Sequence, residues 1–399
     1  MIYFPSHMIP RKIAVFLVAA SMLFTLGGPS QAAPAPYVLD IILAETGPGA
    51  GLGSDEAVAL GLEEKAINAA GGINGQPVRF AIQDDQTNPQ IALQLTTQIL
   101  QKHPLVVIGS SLVASCAAMA PLFVDGPVHF CLSEAFEPPP GSHSFGAGAP
   151  TDDLLTPMFT FMRARGMTRV AAIDTTDASG QQGDRSIQKA LALPENRNIK
   201  LVDLEHFGAT DMSVTAQAQH VLASGAEAIF VGSAGTPTGT LLRGLADAGL
   251  RIPALTSPAN MNVEQLTRYQ DFIPKEFWFS GAIFFDRART GPLAEPDNLF
   301  YNSLATLGLK PTPPHALAWD AVMIVVSALR KLGTNTTPEA LHAYLENLHG
   351  YAGVNGIYDF RKNQHGLDDK SIVMTRWDPV THYWYPISGP GGESLKGAR

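Results

Sequence analysis

The segment from residue 46 to residue 89 limits the possible folds of this chain more than any other. It contains a Gly-Pro turn, a helical stretch, a glycine-rich loop at 69–75, a short strand and two aspartates before Pro89. An apolar strand at 38–44 precedes the segment, and we expect Ser54 to cap its helix. A strand, a helix and a second strand in this order indicate a βαβ unit, and hence a parallel sheet.

Apolar strands and helices alternate along the chain in two series. The first series predicts strands at 38–44, 78–82, 105–108 and 128–132. A break rich in proline and glycine at 138–150 precedes the second series, which predicts strands at 170–174, 200–206, 228–231 and 254–256 and helices at 153–165, 185–192, 213–223 and 239–248. The last third adds helices at 298–307, 316–331 and 338–348 and β segments at 356–360, 372–377 and 383–387.

Two such series predict an α/β chain with two doubly wound parallel-sheet lobes. In open sheets of this kind, ligands bind at the carboxyl ends of the strands. We therefore expect a ligand cleft between the two lobes.

The N-terminus has the pattern of a secretory signal peptide covering residues 1–32. Arg11 and Lys12 precede an apolar run at 13–26, and small residues at Ser30 and Ala32 mark a cleavage site. The apolar run is shorter than the roughly 20 residues of a membrane span, although a retained anchor is the alternative. No cysteine lies near the cleavage site for lipid attachment, and Met8 is an alternative start.

The formal net charge of the 399 residues is −9 at pH 7, and the predicted signal peptide contributes only positive charges. An acidic exported protein lacks the electrostatic footprint of a partner of nucleic acid or anionic lipid. The most hydrophobic stretch after the signal, at 316–329, contains Trp319 and Asp320 and is interpreted as a buried core helix. We therefore expect an exported protein without direct membrane insertion.

The two cysteines of the chain, Cys116 and Cys131, are close in sequence. In an oxidising compartment such a pair is a disulfide candidate. The alternative is two buried free thiols, because cysteine also packs as a small apolar residue.

Several catalytic and cofactor-binding chemistries lack their motifs. The glycines at 47–53 alternate every second residue and do not fit a dinucleotide fingerprint, and there is no Gly-Lys-Ser/Thr phosphate loop. The serines after residue 109 lack a nucleophile elbow, and the histidines lack zinc-ligand spacing. The acidic pairs at 84–85 and 368–369 are interpreted as turns rather than calcium loops. We expect no enzyme activity, no metal and no cofactor.

Polar loops of small residues follow four predicted strands, at 110–115, 133–137, 177–180 and 233–237. Each could be an ordinary helix-capping loop. Together, at corresponding strand ends, they favour a binding cleft in which free backbone N–H groups and hydroxyls hold a carboxylate.

The sequence resembles the periplasmic solute-binding proteins of ABC importers, in the branched-chain amino-acid (Leu/Ile/Val) receptor family. The segments that carry the resemblance are Thr46-Gly47-Pro48 with Gly53, residues 68–75, Asp84-Asp85 with Pro89, residues 107–109, and Leu241-Leu242-Arg243 followed by Ala248-Gly249-Leu250. The resemblance implies the type I fold, a small-molecule solute, an inner-membrane ABC permease as partner and a monomer that does no catalysis. A ligand-sensing subunit for a membrane signalling protein is the alternative function.

The family also implies a division into two discontinuous lobes that close on the ligand by hinge motion. Lobe 1 would comprise residues 33–149 and 282–351, and lobe 2 would comprise residues 150–281 and 352–390. Residues 391–399 would form a flexible tail. The three crossovers would lie near 149–150, 281–282 and 354–355.

Mapping the family's ligand contacts onto this sequence implies a set of binding residues. The set is Leu52, Leu112, Val113, Ala114, Ser115, Ser133, Ala135, Glu137, Ser179, Gly180, Gly235, Thr236 and Asn260. Pro258 stands where the family has the acid that neutralises an α-ammonium group, and unpaired burial of that charge would be costly. A small organic acid, aromatic acids included, is therefore the expected ligand, unless Glu134 or Glu137 supplies the missing carboxylate.

Overall fold

The computed structural model describes residues 34–285 and 290–395. The predicted signal peptide, 1–32, and residues 396–399 of the predicted tail lie outside the described residues. The described residues from Ala35 onward belong to one compact unit. Among them, no helix has both the length and the apolar character needed to cross a membrane.

The strands form two large sheets and one hairpin. The strands are β1 (Tyr37–Leu43), β2 (Val78–Asp84), β3 (Val106–Gly109), β4 (Val128–Cys131), β5 (Ser144–Gly146), β6 (Arg169–Thr175), β7 (Lys200–Phe207), β8 (Ala228–Gly232), β9 (Ala254–Thr256), β10 (Phe277–Ala282), β11 (His349–Ala352), β12 (Ile357–Asp359), β13 (Ile372–Asp378) and β14 (Tyr383–Pro390). The first sheet is entirely parallel, in the order β2-β1-β3-β4-β5. The second has the order β14-β13-β10-β9-β8-β6-β7, with β13 and β14 antiparallel at one edge.

The helices connect the strands and cover the sheets. They are α1 (Ala50–Ala69), α2 (Pro89–Leu100), α3 (Val113–Met119), α4 (Thr151–Ala164), α5 (Ala178–Leu191), α6 (Thr215–Ser224), α7 (Thr236–Asp247), α8 (Val263–Tyr269), α9 (Ala294–Ala305), α10 (Pro313–Leu332) and α11 (Pro338–Glu346).

Each sheet is covered by helices on both faces because successive strand residues point to opposite sides. In β1, Ile41 packs in a core with α1 and α10, whereas Ile42 packs with α2 and α3. In β6, Ala172 packs in a core with α4 and α5, whereas Ile173 packs in a core with α6 and α7. The predicted α/β class with doubly wound sheets is thereby confirmed.

A buried aspartate of α10 holds the segment that follows the β11 strand. Asp320 accepts hydrogen bonds from the backbone N–H of Val354 at 2.7 Å and of Asn355 at 2.8 Å. It also accepts from the Asn355 amide and the Tyr358 hydroxyl, both at 2.9 Å. This segment includes the predicted third crossover at 354–355. The division into lobes stays a prediction.

Several helices begin earlier than the sequence analysis predicted, among them α1, α5 and α7. Helix α1 starts at Ala50, so Ser54 does not cap it but donates back to the Ala50 carbonyl at 2.6 Å. Helix α5 starts at Ala178 instead of residue 185. The cap by Asp177 stabilises this start more than the glycines in the first turns destabilise it. Helix α7 starts at Thr236 instead of residue 239, directly after Gly235.

The sequence analysis missed the strands β5, β10 and β11. Of these, β10 has six buried residues inside the second sheet. The strand β5 is only three residues long and lies at the sheet edge, next to the glycine-rich break. Such a short edge strand carries little periodic signal.

Candidate functional site

A cavity of about 380 Å³ lies where the carboxyl ends of strands from both sheets approach one another. Residues within 48–52, 111–115 and 132–135, which follow β1, β3 and β4, line one side. Residues within 174–179, 230–237 and 255–259, at the ends of β6, β8 and β9, line the other. The volume lies at the small end of the usual range for ligand pockets, about 300–1,000 Å³.

Glycines allow close approach of the two sides of this cavity. Gly235 has a positive φ of 70°, and a β-carbon there would lie 3.1 Å from the carbonyl oxygen of Pro48 on the other side. A β-carbon at Gly51 would lie 3.1 Å from the amide nitrogen of Asn262. The loop after β1 therefore contacts elements of the second sheet, and the cavity is bounded from both sides.

On the first-sheet side, Ser111 connects the end of β1 to a buried carboxyl group of α1. Its Oγ accepts from the backbone N–H of Ala44 at 3.0 Å and donates to Oε2 of Glu56 at 2.5 Å. Burial, followed by the nearby charges of Asp55 and Asp85, raises the pKa of Glu56 to about 8. Glu56 lines the cavity although its side chain is 1% exposed.

Glu134 is a second carboxyl group on the same side. It follows β4 and lines the cavity. It also lies close to Gly148, where an added β-carbon would be 2.9 Å from Glu134 Oε1. Burial alone raises the pKa of Glu134 to about 8. Within the described residues, no hydrogen bond offsets that burial.

The loops that carry Ser111 and Glu134 are joined covalently. Cys116 of α3 and Cys131 at the end of β4 form a disulfide with a Cα–Cα distance of 6.0 Å. The backbone N–H of Leu132 also donates to the carbonyl of Ser110 at 3.1 Å. The predicted disulfide is confirmed, and it fixes these two loops relative to each other.

Replacing Cys116 and Cys131 together with alanine should lower the free energy of unfolding by about 3 kcal/mol. The bridge closes a loop with a sequence separation of 15, and a loop of this size has about that effect in the chain-entropy model. Urea unfolding of the wild type and the double variant, both without reductant, checks this. An unchanged unfolding midpoint would contradict the stabilising role.

On the second-sheet side, hydrogen bonds between polar side chains hold the strand ends together. Asp177 Oδ1 accepts from the backbone N–H groups of Ser179 at 3.0 Å and Gly180 at 3.1 Å. Asn260 donates to the Ser233 carbonyl at 2.6 Å and accepts from the Thr238 hydroxyl at 2.8 Å. These bonds fix the loops after β6, β8 and β9.

Asp174, at the end of β6, also borders the cavity. Burial, together with the adjacent carboxyl of Asp184, raises its pKa. The absence of a side chain at Gly232 makes room for Asp174, because a β-carbon at Gly232 would overlap the Asp174 carboxylate.

Comparison with known proteins gives the family. The sequence model of the family described as periplasmic binding protein matches residues 41–379. The chain belongs to this family. No curated protein matches its sequence significantly.

Solved structures of periplasmic binding proteins share the fold. An extracellular ligand-binding receptor from Rhodopseudomonas palustris HaA2 is 19% identical, with a TM-score of 0.77 over 89% of this chain and 100% of that one. The branched-chain amino acid transporter substrate binding protein LivJ from Streptococcus pneumoniae, in complex with isoleucine, is 18% identical, with a TM-score of 0.74 over 86% and 97%. An ABC transporter solute binding protein from R. palustris, in complex with 4-hydroxybenzoate, is 16% identical, with a TM-score of 0.69 over 90% and 94%.

Most of the residues that the sequence assigned to ligand binding in this periplasmic binding protein line the cavity. They are Leu52, Leu112, Val113, Ala114, Ser115, Ser133, Ala135, Ser179 and Gly235. Their contact with a ligand stays a prediction.

The other four predicted residues do not line the cavity. Glu137 is exposed and accepts from the Gln182 amide at 3.4 Å, outside the cavity. Gly180 is buried behind β6, where a β-carbon would lie 1.8 Å from the Thr175 carbonyl oxygen. Thr236 is exposed at the start of α7. Asn260 is buried, and its side chain makes the hydrogen bonds described above.

The sequence assignment omitted two kinds of cavity residue. The carboxyl groups of Glu56 and Asp174 were missed, although Glu56 lies three residues before Ala59 on the apolar face of α1. An acid on an apolar helix face was the available signal. The apolar wall was also missed, since its residues belong to core helices and strands: Leu154, Leu155, Met158, Phe230, Leu255 and Leu317.

The charge of the cavity lining is uniformly acidic. Among the described residues, the lining contains the carboxyl groups of Glu56, Glu134, Asp174 and Asp177 and no lysine, arginine or histidine. The part of the chain that the structure describes contains no group of three or more acidic, histidine or cysteine side chains placed to hold a metal ion.

Proposed function

We propose that this chain is the periplasmic substrate-binding protein of an ABC importer. It captures a small solute in the cavity between the two sheets and delivers it to an inner-membrane permease. The observation that carries this proposal is a cavity of about 380 Å³ lined by strand ends of both sheets in a member of the periplasmic binding protein family. A ligand held from both sides couples its binding to the closed arrangement of the protein.

The proposal includes the export and the lobes expected from the sequence. Residues 1–32 would be removed on export to the periplasm, and the mature protein would act as a monomer. The lobes would be 33–149 with 282–351 and 150–281 with 352–390. The hydrogen bonds of Asp320 to residues 354–358 support a third crossover anchored to α10, next to which a few loop residues would absorb the change in backbone angles of a hinge motion.

We propose further that the solute has an apolar body and leaves the protein unchanged. The apolar wall of the cavity, from Leu154 to Leu317, supports this by the hydrophobic effect. The organic acid expected from the sequence would have to be held by backbone N–H groups at 113–115, because the described lining has no basic side chain. Recovery of the bound compound in chemically altered form would contradict the proposal.

Replacing Ala114 with tryptophan should abolish solute binding. Ala114 lines the cavity, and an indole in its place would fill space that the ligand needs. Ala117, one turn further along α3, is exposed and does not line the cavity, so Ala117→Trp is the matched control. We expect at least a hundred-fold loss of affinity in the first variant and less than a three-fold change in the second.

The ligand for this test comes from a thermal-shift screen of amino acids, amines, alcohols and aliphatic and aromatic acids, followed by calorimetry. Equal affinity of both tryptophan variants for the best compound would contradict binding in this cavity. Circular dichroism of both variants establishes that they are folded.

A further inference from the structure

The electrostatics of the cavity favour one sign of ligand charge. The carboxyl groups of its described lining have no basic side chain beside them in that lining. Burial raises the pKa of Glu56 and of Glu134 to about 8, so a ligand carboxylate would find no opposite charge here and would raise these pKa values further. A cationic group would instead supply the opposite charge that a buried carboxylate needs as its partner.

Glu56 has the geometry of a hydrogen-bond acceptor for a ligand. It is 1% exposed, and Oε2 accepts from Ser111. Ser111 Oγ is itself fixed by the N–H of Ala44. Within the described residues, Oε1 of Glu56 has no hydrogen-bond partner, and the residue lines the cavity. Oε1 is therefore free to accept a hydrogen bond from a ligand in the cavity.

Glu134, which is half-buried, is a second candidate acceptor in the lining. Its carboxyl group makes no hydrogen bond to a described residue, and burial alone raises its pKa to about 8. A β-carbon at Gly148 would lie 2.9 Å from Glu134 Oε1 and 2.7 Å from Cδ2 of Leu317, a residue of the apolar wall, so both side chains border the same space. The carboxyl group therefore lies at the junction of the polar and apolar parts of the cavity.

We propose that the solute is a small organic amine, with an ammonium group held by Glu134 and Glu56 and an apolar body against Leu154, Met158 and Phe230. The inference rests on the proposed function and assigns the ligand class of that same cavity. An ammonium group has three hydrogen-bond donors, and charge-assisted bonds from it to a carboxylate are stronger than neutral ones. The absence of basic side chains from the described lining leaves a ligand carboxylate without an ionic partner.

Calorimetry with matched ligands tests this. Isopentylamine and phenethylamine are the amine probes. Isopentyl alcohol and phenethyl alcohol have no charge, isocaproate and hydrocinnamate have the opposite charge, and leucine and phenylalanine have both. We expect the amines to bind at least ten-fold more tightly than their alcohol, carboxylate and amino-acid counterparts.

Carboxyl-to-amide variants assign the interaction to residues. Glu134→Gln and Glu56→Gln should each weaken amine binding at least ten-fold, with little effect on the alcohols. Glu195→Gln makes the same chemical change at an exposed position outside the cavity and should change nothing. Thermal unfolding of each variant verifies its fold.

Two results would overturn the inference. One is tighter binding of the carboxylates or amino acids than of the amines, and the other is unchanged amine affinity in both glutamine variants. If the Ala114→Trp variant still loses binding of those carboxylates or amino acids, the solute-binding function stands and only the amine assignment fails. If the Ala114→Trp variant binds every compound as tightly as the wild type does, both the proposed solute site and the amine assignment are wrong.

Discussion

Replacing Asp320 with alanine is expected to lower the free energy of unfolding by about 3–5 kcal/mol, the range for breaking a buried charged network. The carboxylate accepts from two backbone N–H groups, the Asn355 amide and the Tyr358 hydroxyl, and all four donors would lose their partner. Buried donors without acceptors retain their full desolvation cost. Urea unfolding followed by tryptophan fluorescence measures the change.

An Asp320→Asn variant distinguishes loss of the acceptor from loss of side-chain volume. Its oxygen can still accept from Val354, but its NH₂ group would face the donors that now point at Oδ2. We therefore expect a destabilisation close to that of alanine. Asp247→Ala, at an exposed position of α7, is the control and should stay within about 0.5 kcal/mol. A near-native Asp320→Asn variant would contradict the account of this network.

Replacing Glu63 with glutamine is expected to stabilise the protein at pH 8 and to change little at pH 5, with a gain of up to about 1.4 kcal/mol for each pH unit between the usual and the raised pKa. Glu63 of α1 is fully buried, and neither carboxyl oxygen has a hydrogen-bond partner among the described residues. Burial, and then the charge of Asp320, raises its pKa well above the usual 4.5. At pH values between the usual and the raised pKa, the folded protein therefore binds a proton there that the unfolded chain has released.

The sign of this effect follows from the raised pKa. The contribution of a carboxyl group with a raised folded-state pKa is most favourable below the unfolded pKa and is lost as the pH rises above it. Glutamine does not titrate, so the difference between the variants should increase from pH 5 to pH 8. Urea unfolding at both pH values measures it, with the exposed Glu195→Gln as control. A pH-independent difference would show that Glu63 does not titrate as the structure implies.

Much of the fold was predictable because its strands are short, apolar and regularly spaced. The β1 strand was placed within one residue of its observed bounds, since Val38 and Ile41–Leu43 leave no alternative to a buried strand. The start of α5 was not predictable in the same way. Its first turns contain glycine and serine, and only the cap by Asp177 shows where the helix begins.

The polar part of the candidate site was more accessible to sequence reasoning than the apolar part. Ser115, Ser133 and Ser179 follow strand ends, and that position alone predicts a place at the cavity. The wall residues Leu154 and Phe230 look like ordinary core residues in sequence. Their exposure to a cavity depends on how the two sheets approach, which is a long-range property of the fold.

The acidic character of the cavity was the least predictable feature. Glu56 lies in the middle of α1, and its approach to Ser111 requires the register between α1, β1 and β3. The sequence resemblance directed attention to Pro258 as a lost acid. The structure instead brings carboxyl groups to the cavity from α1, the loop after β4 and the end of β6.

Hydrogen–deuterium exchange with and without the tightest ligand tests the central claim most directly, namely that both sheets hold the solute. The account predicts slower exchange in peptides covering 111–115 and 132–135 of the first side and 232–235 of the second, at ligand concentrations that saturate the protein. Helix α11, which does not line the cavity, should exchange as before. Slower exchange on only one side of the cavity, or only outside it, would contradict the account.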